Sequence, residues 1–413
     1  MIHPPQLPSS ATTKQRYDGT ERVIAPEQTL ERIAPLLPTL GITRVARVTG
    51  LDSIGLPVWV ACRPNSRSLS TSQGKGLTDA AARVSAVMEC LELHHAERPH
   101  VPLRLASMRE LTDHGFPIVE VAALPSVTTS RFHPSRVLLW TEATDIARQS
   151  ACWIPFEVVH TSALLPAPTG SGCFASTSNG LASGNEYTEA VVHALCEAIE
   201  RDAAAVWQQL PEDARDATLI DPDTVDDPDC QNVLERYAAA GIDVECADIT
   251  SDVGVPAFLC QISDTADSWH PRRFSGMGCH LDPGIALLRA LLEAAQSRLT
   301  YITGSRDDLL RRDYRAVAGD GCKTGSAERR GHQASRRFGS VPPTPRTGSF
   351  SEDLDVLMER LRAAGLGSVL VVDLTDPRFG VPVVRVVVPG LEGPDDDPAY
   401  VPGTRAVTVR RPS

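Results

Sequence analysis

The chain has 413 residues, 42% of them hydrophobic and 22% charged, which is ordinary globular usage. That excludes global disorder, a collagen-like fibre and a small disulfide scaffold, and the length allows two or three domains or one large one. The 40 basic residues face 52 acidic ones, and the net charge of −12 argues against broad nucleic-acid or anionic-membrane binding, which needs a positive footprint. The N-terminus lacks the basic-then-apolar pattern of a signal peptide, and the strongest apolar run, around Val381–Val388, is strand-sized rather than membrane-sized. Ten scattered cysteines form no Cys-x-x-Cys pair, so reduced, mostly buried thiols in a cytoplasmic protein are expected.

Residues 1–20 are polar and proline-rich and predict a flexible arm. Thr43–Thr49 and Pro57–Ala61 read as strands around a turn at Asp52–Gly55. A loop rich in Ser, Thr and Gly, Asn65–Gly76, leads into a helix over about Asp79–Glu97. Val137–Glu142 and Ala151–Phe156 read as a hairpin. A second such loop, Thr169–Asn185, opens a helix over Tyr187–Gln208. Residues 212–275 alternate helix and strand, and a third helix spans about Pro283–Ile302. Ala316–Gly348 holds few large apolar residues and predicts a mobile loop. A helix at Glu352–Ala364 and strands at Ser368–Asp373 and Val383–Val387 complete one catalytic-sized body from 21 to 393, followed by a tail over 394–413. No internal period suggests a solenoid. The fold class expected is α/β (α+β), with mixed sheets and helices.

The three long helices carry carboxylates on otherwise apolar faces. Ser85, Glu89 and Glu92 share one face at spacings of four and three. Asn185, Glu189, His193 and Glu197 follow at intervals of four, and Glu200 and Arg201 come next. In the third helix Arg289, Glu293 and Gln296 share a face, with Arg298 beyond them. Buried carboxylates without partners are costly, so these helices call for basic side chains, bound cations or protonation. Oxygen-only ligands suit Mg²⁺, which joins carboxylates to substrate phosphates. The loops Gln73-Gly-Lys-Gly76 and Asn179–Asn185 could present backbone amides to phosphate, although neither matches a P-loop.

This ordered set resembles the YcaO family: Gly74-Lys75-Gly76, Ser85-xxx-Glu89-xx-Glu92, Gly184-Asn185-xxx-Glu189, Glu197-xx-Glu200-Arg201 and Glu293-xx-Gln296-x-Arg298, with the phrases Leu181–Asp202 and Val383–Glu392. The resemblance covers about Lys14 to Gly393. It implies an ATP-dependent enzyme that activates peptide backbone amides, often in ribosomally made natural-product precursors. It implies Mg²⁺ on Glu89, Glu92, Glu189, Glu197 and Glu200. It also implies ATP contacts from Lys14, Thr20, Lys75, Ser85, Asn185, Arg201, Gln296 and Arg298.

Three departures shape the expected product. Ala182, with Ser183 adjacent, stands where the family often has serine. His193 stands where glutamine is common, and a lone histidine amid apolar residues reads as a packed core residue. The chain ends Arg410-Arg411-Pro412-Ser413, without the Pro-x-Pro-x-Pro tail of azoline-forming members. The resemblance therefore leans towards thioamide formation with a TfuA-type partner, with azoline or macroamidine formation and a non-catalytic precursor-binding scaffold as alternatives. A precursor peptide and a separate recognition protein are the partners implied, with a homodimer as the default assembly.

Overall fold

Asp18 and Gly19, both at positive φ, turn the chain back on itself, so β1 (Gln15–Tyr17) and β2 (Thr20–Arg22) pair as a tight hairpin. The computed structural model describes residues 13–264, 273–309, 314, 336–342, 344–345, 347–393 and 399–410. After α1 (Pro26–Ile33), strands β3 (Arg44–Arg47), β4 (Val58–Cys62) and β5 (Thr71–Lys75) form an antiparallel sheet. Thr78 then caps α2 (Asp79–Glu97), accepting the Ala81 N–H at 3.3 Å. Next come β6 (Leu103–Ser107), the short α3 (Met108–Asp113), β7 (Val137–Asp145), β8 (Ser150–Pro155) and β9 (Leu181–Ser183). The hairpin expected around 137–156 is β7–β8.

The central helix α4 (Tyr187–Gln208) follows, then α5 (Glu212–Asp216) and α6 (Pro228–Ala239). A second antiparallel sheet is formed by β10 (Ile242–Asp248), β11 (Ala257–Asp264) and β12 (Arg273–Cys279). It leads into α7 (Pro283–Thr303), capped by Asp282 and closed by Gly304 in the left-handed conformation. The chain finishes with α8 (Phe350–Ala363), β13 (Leu370–Asp373), β14 (Val383–Val387) and α9 (Thr404–Arg410). A six-stranded antiparallel sheet runs β6-β7-β13-β14-β9, with β8 on β7. Among the described residues no helix is long and apolar enough to cross a membrane. The nine described cysteines are all thiols.

Two parts of the fold repeat one another. Gly74 of β5 lies so close to α2 that a Cβ there would come within 2.0 Å of the Ala86 nitrogen and 2.2 Å of the Ala82 oxygen. Gly278 of β12 meets Ala290 and Ala286 of α7 in the same way, at 2.6 and 2.1 Å, and Gly276 adds a second such contact against Ala294. The same register continues along both units: Gln73 matches Met277, Thr78 matches Asp282, Ser85 matches Arg289, Glu89 matches Glu293 and Glu92 matches Gln296. The hydrogen bonds match too. The Gln73 N–H donates to Glu89 at 3.3 Å, and the Met277 N–H donates to Glu293 at 3.4 Å. Glycine lets each strand lie directly on its helix, which presents the backbone N–H to the carboxylate.

The chain ends are more ordered than the composition suggests. Residues 1–12 lie outside the described residues, but 13–22 form the β1–β2 hairpin rather than a free arm, and Lys14 is buried between Glu21 (2.6 Å) and Asp353 (2.9 Å). Of Ala316–Gly348, residues 316–335, 343 and 346 lie outside the described residues. Its final part is tied down: the Arg336 carbonyl accepts from the Asp221 N–H at 2.9 Å, and Phe338 and Val341 are buried. In the tail, 394–398 and 411–413 lie outside the described residues, while α9 docks on α4. Arg405 forks onto Asp202, which is 0% exposed, at 2.8 and 2.9 Å. Glu392 accepts the N–H groups of Gly403 and Ala406 at 2.7 and 2.9 Å.

Gly74→Ala or Gly276→Ala, adding a methyl against helix backbone, is expected to cost at least about 1–3 kcal/mol, read as a lower urea midpoint. An unchanged midpoint would contradict the close approach. Arg405→Ala leaves the Asp202 carboxylate buried without its cation and is expected to cost about 3 kcal/mol in the same measurement.

Candidate active site

The faces of α2, α4 and α7 converge. Glu89, Glu92, Glu197, Glu200 and Glu293 interact as like charges. Glu92 is destabilised by Glu197 and Glu89, Glu197 by Glu200 and Glu293, and Glu89 by Glu293. Burial, reinforced by this repulsion, lifts the Glu89 carboxyl to about 7, Glu92 to about 8 and Glu197 to about 7. Glu293 also opposes ionisation of Glu200 as a like charge. Burial raises Glu200, whereas at Glu293 the opposing pull of Lys75 and Arg201 outweighs burial and holds it low.

Neighbouring strands place the carboxylates of α2 and α7. The Gln73 N–H fixes Glu89 and the Met277 N–H fixes Glu293, as described. Ser183, at the end of β9, donates both its N–H (2.8 Å) and its Oγ–H (2.7 Å) to one oxygen of Glu92. Ala182, beside it, faces the α4 core, so the hydroxyl at position 183 supplies the contact. Glu189 is set apart from the five. It accepts the Val23 N–H at 3.1 Å and the Asn185 amide at 3.3 Å, with Arg22 at 3.7 Å.

Cations line the same space. Lys75 Nζ lies 2.5 Å from Glu293, and Arg201 lies 3.3 Å from Glu200 and 3.9 Å from Glu293. Arg289 donates to the Cys279 carbonyl at 3.0 Å, and its charge reaches Glu200 and His193. Asn185 accepts from Thr29 at 3.0 Å. Ser85 and Gln296 are half-buried, one turn before Glu89 and after Glu293 respectively.

The remaining residues expected at a nucleotide are engaged elsewhere. Lys14 is held by Glu21 and Asp353, Thr20 accepts from Arg22 at 3.1 Å, and Arg298 pairs with Asp264 at 2.7 Å and Asp52 at 3.6 Å. His193 and His280 are kept neutral by burial and by Arg289. Arg22 was the contributor sequence reasoning missed. The Asp18-Gly19 turn signals the hairpin that delivers it.

The donor set fits Mg²⁺ and a nucleotide. All five carboxylates offer hard oxygens, and three of them lack enough positive charge to ionise near neutral pH. Among the described residues no three such ligands converge to hold an ion by themselves. Phosphate oxygens and water must complete its shell, which is how Mg²⁺ usually binds. When bound, the ion neutralises phosphate charge.

Because the native state keeps protons on Glu89, Glu92 and Glu197 up to pH 7–8, while free glutamates lose theirs near 4.5, the metal-free protein is expected to lose stability as pH rises through that window. Thermal melts from pH 5 to 8 should show a falling Tm, and Mg²⁺ with an ATP analogue should raise Tm more at pH 8 than at pH 6. Glu92→Gln should flatten the fall and weaken Mg·ATP binding together. A Tm that rises across the window would refute the assignment.

The family model for YcaO cyclodehydratase, ATP- and Mg²⁺-binding, matches residues 73–392. An uncharacterised protein from the tfuA 3′ region of Rhizobium leguminosarum bv. trifolii is 37% identical over 401 residues, covering 95% of this chain and 94% of that one. An uncharacterised protein of Methanothermobacter thermautotrophicus is 35% identical over 394 residues, covering 92% and 97%. Among solved structures, a YcaO from Methanopyrus kandleri bound with AMPPCP and Mg²⁺ superposes with a TM-score of 0.71 at 24% identity, covering 95% of this chain and 98% of that one. A heterocyclase in complex with substrate and cofactor gives 0.76 at 24%, covering 94% of this chain, which spans 55% of the length of that heterocyclase. The fold, the carboxylate cluster and the match over most of its length place this chain in the YcaO family of ATP- and Mg²⁺-dependent enzymes.

Proposed function

We propose that the enzyme uses ATP to O-phosphorylate a backbone amide of a ribosomally made precursor peptide, and that with a TfuA-type partner it converts that amide to a thioamide. The observation that carries the amide-activation reading is the cluster of half-buried to buried carboxylates on α2, α4 and α7, faced by Lys75, Arg201 and Arg289. Such a site is suited to phosphoryl transfer, where catalysis is mostly positioning and charge neutralisation. The relative from a tfuA 3′ region favours the thioamide branch. The heterocyclase likeness keeps azoline formation as the second reading.

In this reading, hydrosulfide adds to the amide carbon: a C–S bond forms and the carbonyl π pair moves to oxygen. That oxygen takes the γ-phosphoryl of ATP and ADP leaves. The C–O bond then breaks, phosphate departs with the former amide oxygen, the sulfur proton is released to a base, and a C=S bond remains. Glu89, Glu92, Glu197 and Glu200, with Glu189 at the Arg22 end, would hold Mg²⁺. Lys75, Ser85, Asn185, Arg201 and Gln296 would position phosphate and ribose oxygens. Lys14, Thr20 and Arg298 would join them only by exchanging their present protein partners.

The test combines the enzyme, its TfuA-type partner, Mg·ATP, sulfide and the peptide encoded beside the gene. The expected product has one backbone oxygen exchanged for sulfur, with one ADP formed per thioamide. Loss of one water from the peptide would support the azoline reading instead. Glu89→Gln and Glu200→Gln should each lower peptide-dependent ATP turnover by about 100-fold, and normal turnover in both would refute the assignment.

A further inference from the structure

Arg385, on β14, is buried to 3% exposure. Its Nε donates to the Val158 carbonyl at 3.0 Å and its Nη2 to the Thr177 carbonyl at 2.5 Å. Its third nitrogen, Nη1, is buried and has no partner. Among the described residues no carboxylate lies within ion-pair distance of it. A guanidinium in that position is costly unless something anionic completes it.

A second orphaned donor lies on the same loop, two residues beyond the Val158 carbonyl that Arg385 binds. His160 is 4% exposed, and its ring packs against Phe156 with centroids 4.8 Å apart. The Ser162 N–H donates to its Nδ1 at 3.2 Å, so the proton of the neutral ring sits on Nε2. That Nε2–H is buried and unpartnered. Burial, with the charge of Arg385 added, favours the neutral ring.

These groups are held rigidly. Glu157 accepts the N–H groups of Gly172 (2.5 Å), Cys173 (3.0 Å) and Phe174 (3.1 Å), and Ser176 donates to the His160 carbonyl at 3.2 Å. Arg385 joins the two loops this bracing fixes. It also belongs to the carboxylate site. In the β14–β9 register Arg385 is opposite Leu181 and Val383 is opposite Ser183, so Arg385 and Ser183 are diagonal neighbours on one sheet face, about 7 Å apart. Ser183 reaches Glu92 from that face, and Arg385 is stabilised electrostatically by Glu197.

We propose that Arg385 Nη1 and His160 Nε2–H form a preorganised oxyanion site. It would receive the amide oxygen of the substrate peptide as negative charge develops on it, before that oxygen takes the phosphoryl group. This rests on the amide-activation reading above and names groups for it outside the nucleotide- and metal-binding set. Fixed donors in a dry site stabilise developing charge without reorganisation. The same chemistry, an anionic oxygen, could instead come from a nucleotide phosphate, and the experiment separates the two.

His160→Phe and Arg385→Lys are compared with the wild type by circular dichroism, by Kd for Mg·AMPPCP without peptide, and by kcat for phosphate release with the precursor peptide. The expected result is native spectra, nucleotide Kd within about twofold and kcat lowered about 100-fold in each. A wild-type kcat in His160→Phe overturns the site, and that variant decides alone if Arg385→Lys does not fold. A nucleotide Kd weakened in step with kcat also overturns it, assigning the donors to phosphate. If the wild type itself shows no peptide-dependent turnover, the amide-activation reading fails, a result distinct from either.

Discussion

Five carboxylates facing one interior space, Glu200 buried and the other four half-buried, form the constraint on which the rest of this structure depends. Each raises the ionisation cost of its neighbours, and burial raises the cost of all of them. A fold spends stability in this way where charge is to be supplied by something else. Lys75, Arg201 and Arg289 supply part of it: Lys75 and Arg201 hold the Glu293 carboxyl low, and Arg289 acts on Glu200. The remainder is left to a cation and phosphates, so affinity for Mg·nucleotide and folding stability are linked at neutral pH.

The two repeated units explain how the space is built. In each, a strand glycine lets the sheet lie directly on the helix, and the adjacent backbone N–H fixes a glutamate. Divergence then made the two halves unlike. Ser85 and Glu92 on one side answer to Arg289 and Gln296 on the other, so the second unit carries more positive and neutral groups. Between them α4 contributes Glu197, Glu200 and Arg201, and the β9–β14 edge contributes Ser183. Lys75 of the first unit reaches Glu293 of the second, and that ion pair ties the units across the site.

Much of this was legible in the sequence. Ser85, Glu89 and Glu92, and likewise Glu189, Glu197 and Glu200, recur at helical spacing within one element, where a 3.6-residue period determines which side chains share a face. The long helices and the strand pairs near 58–62 and 137–155 follow local patterns of the same kind. What could not be read is long-range. Arg22 and Arg385 reach the carboxylates through a hairpin and a sheet edge whose places in the fold no local pattern specifies. The repeat was hidden because it keeps few identical residues at matching places, chiefly Gly74/Gly278, Ala82/Ala286, Ala86/Ala290 and Glu89/Glu293, and small apolar residues recur in any packed helix. The C-terminal helix reads as polar tail until Asp202 and Glu392, far away in sequence, turn out to hold it. The hairpin at 15–22 was the local signal overlooked, in Asp18-Gly19.

The ion pair between Lys75 and Glu293 has a consequence for biosynthesis of the chain itself. The first unit can pair its strands and pack α2 soon after it leaves the ribosome, since β3, β4, β5 and α2 are contiguous. Its glutamates then have no facing cations from α7 and no partner at Ser183. Until β9, α4 and α7 emerge, that face of α2 is open to water and its glutamates ionise as free ones do. Nucleotide recognition therefore waits for the second unit, because a nascent fragment ending before α7 lacks both Glu293 and Arg289.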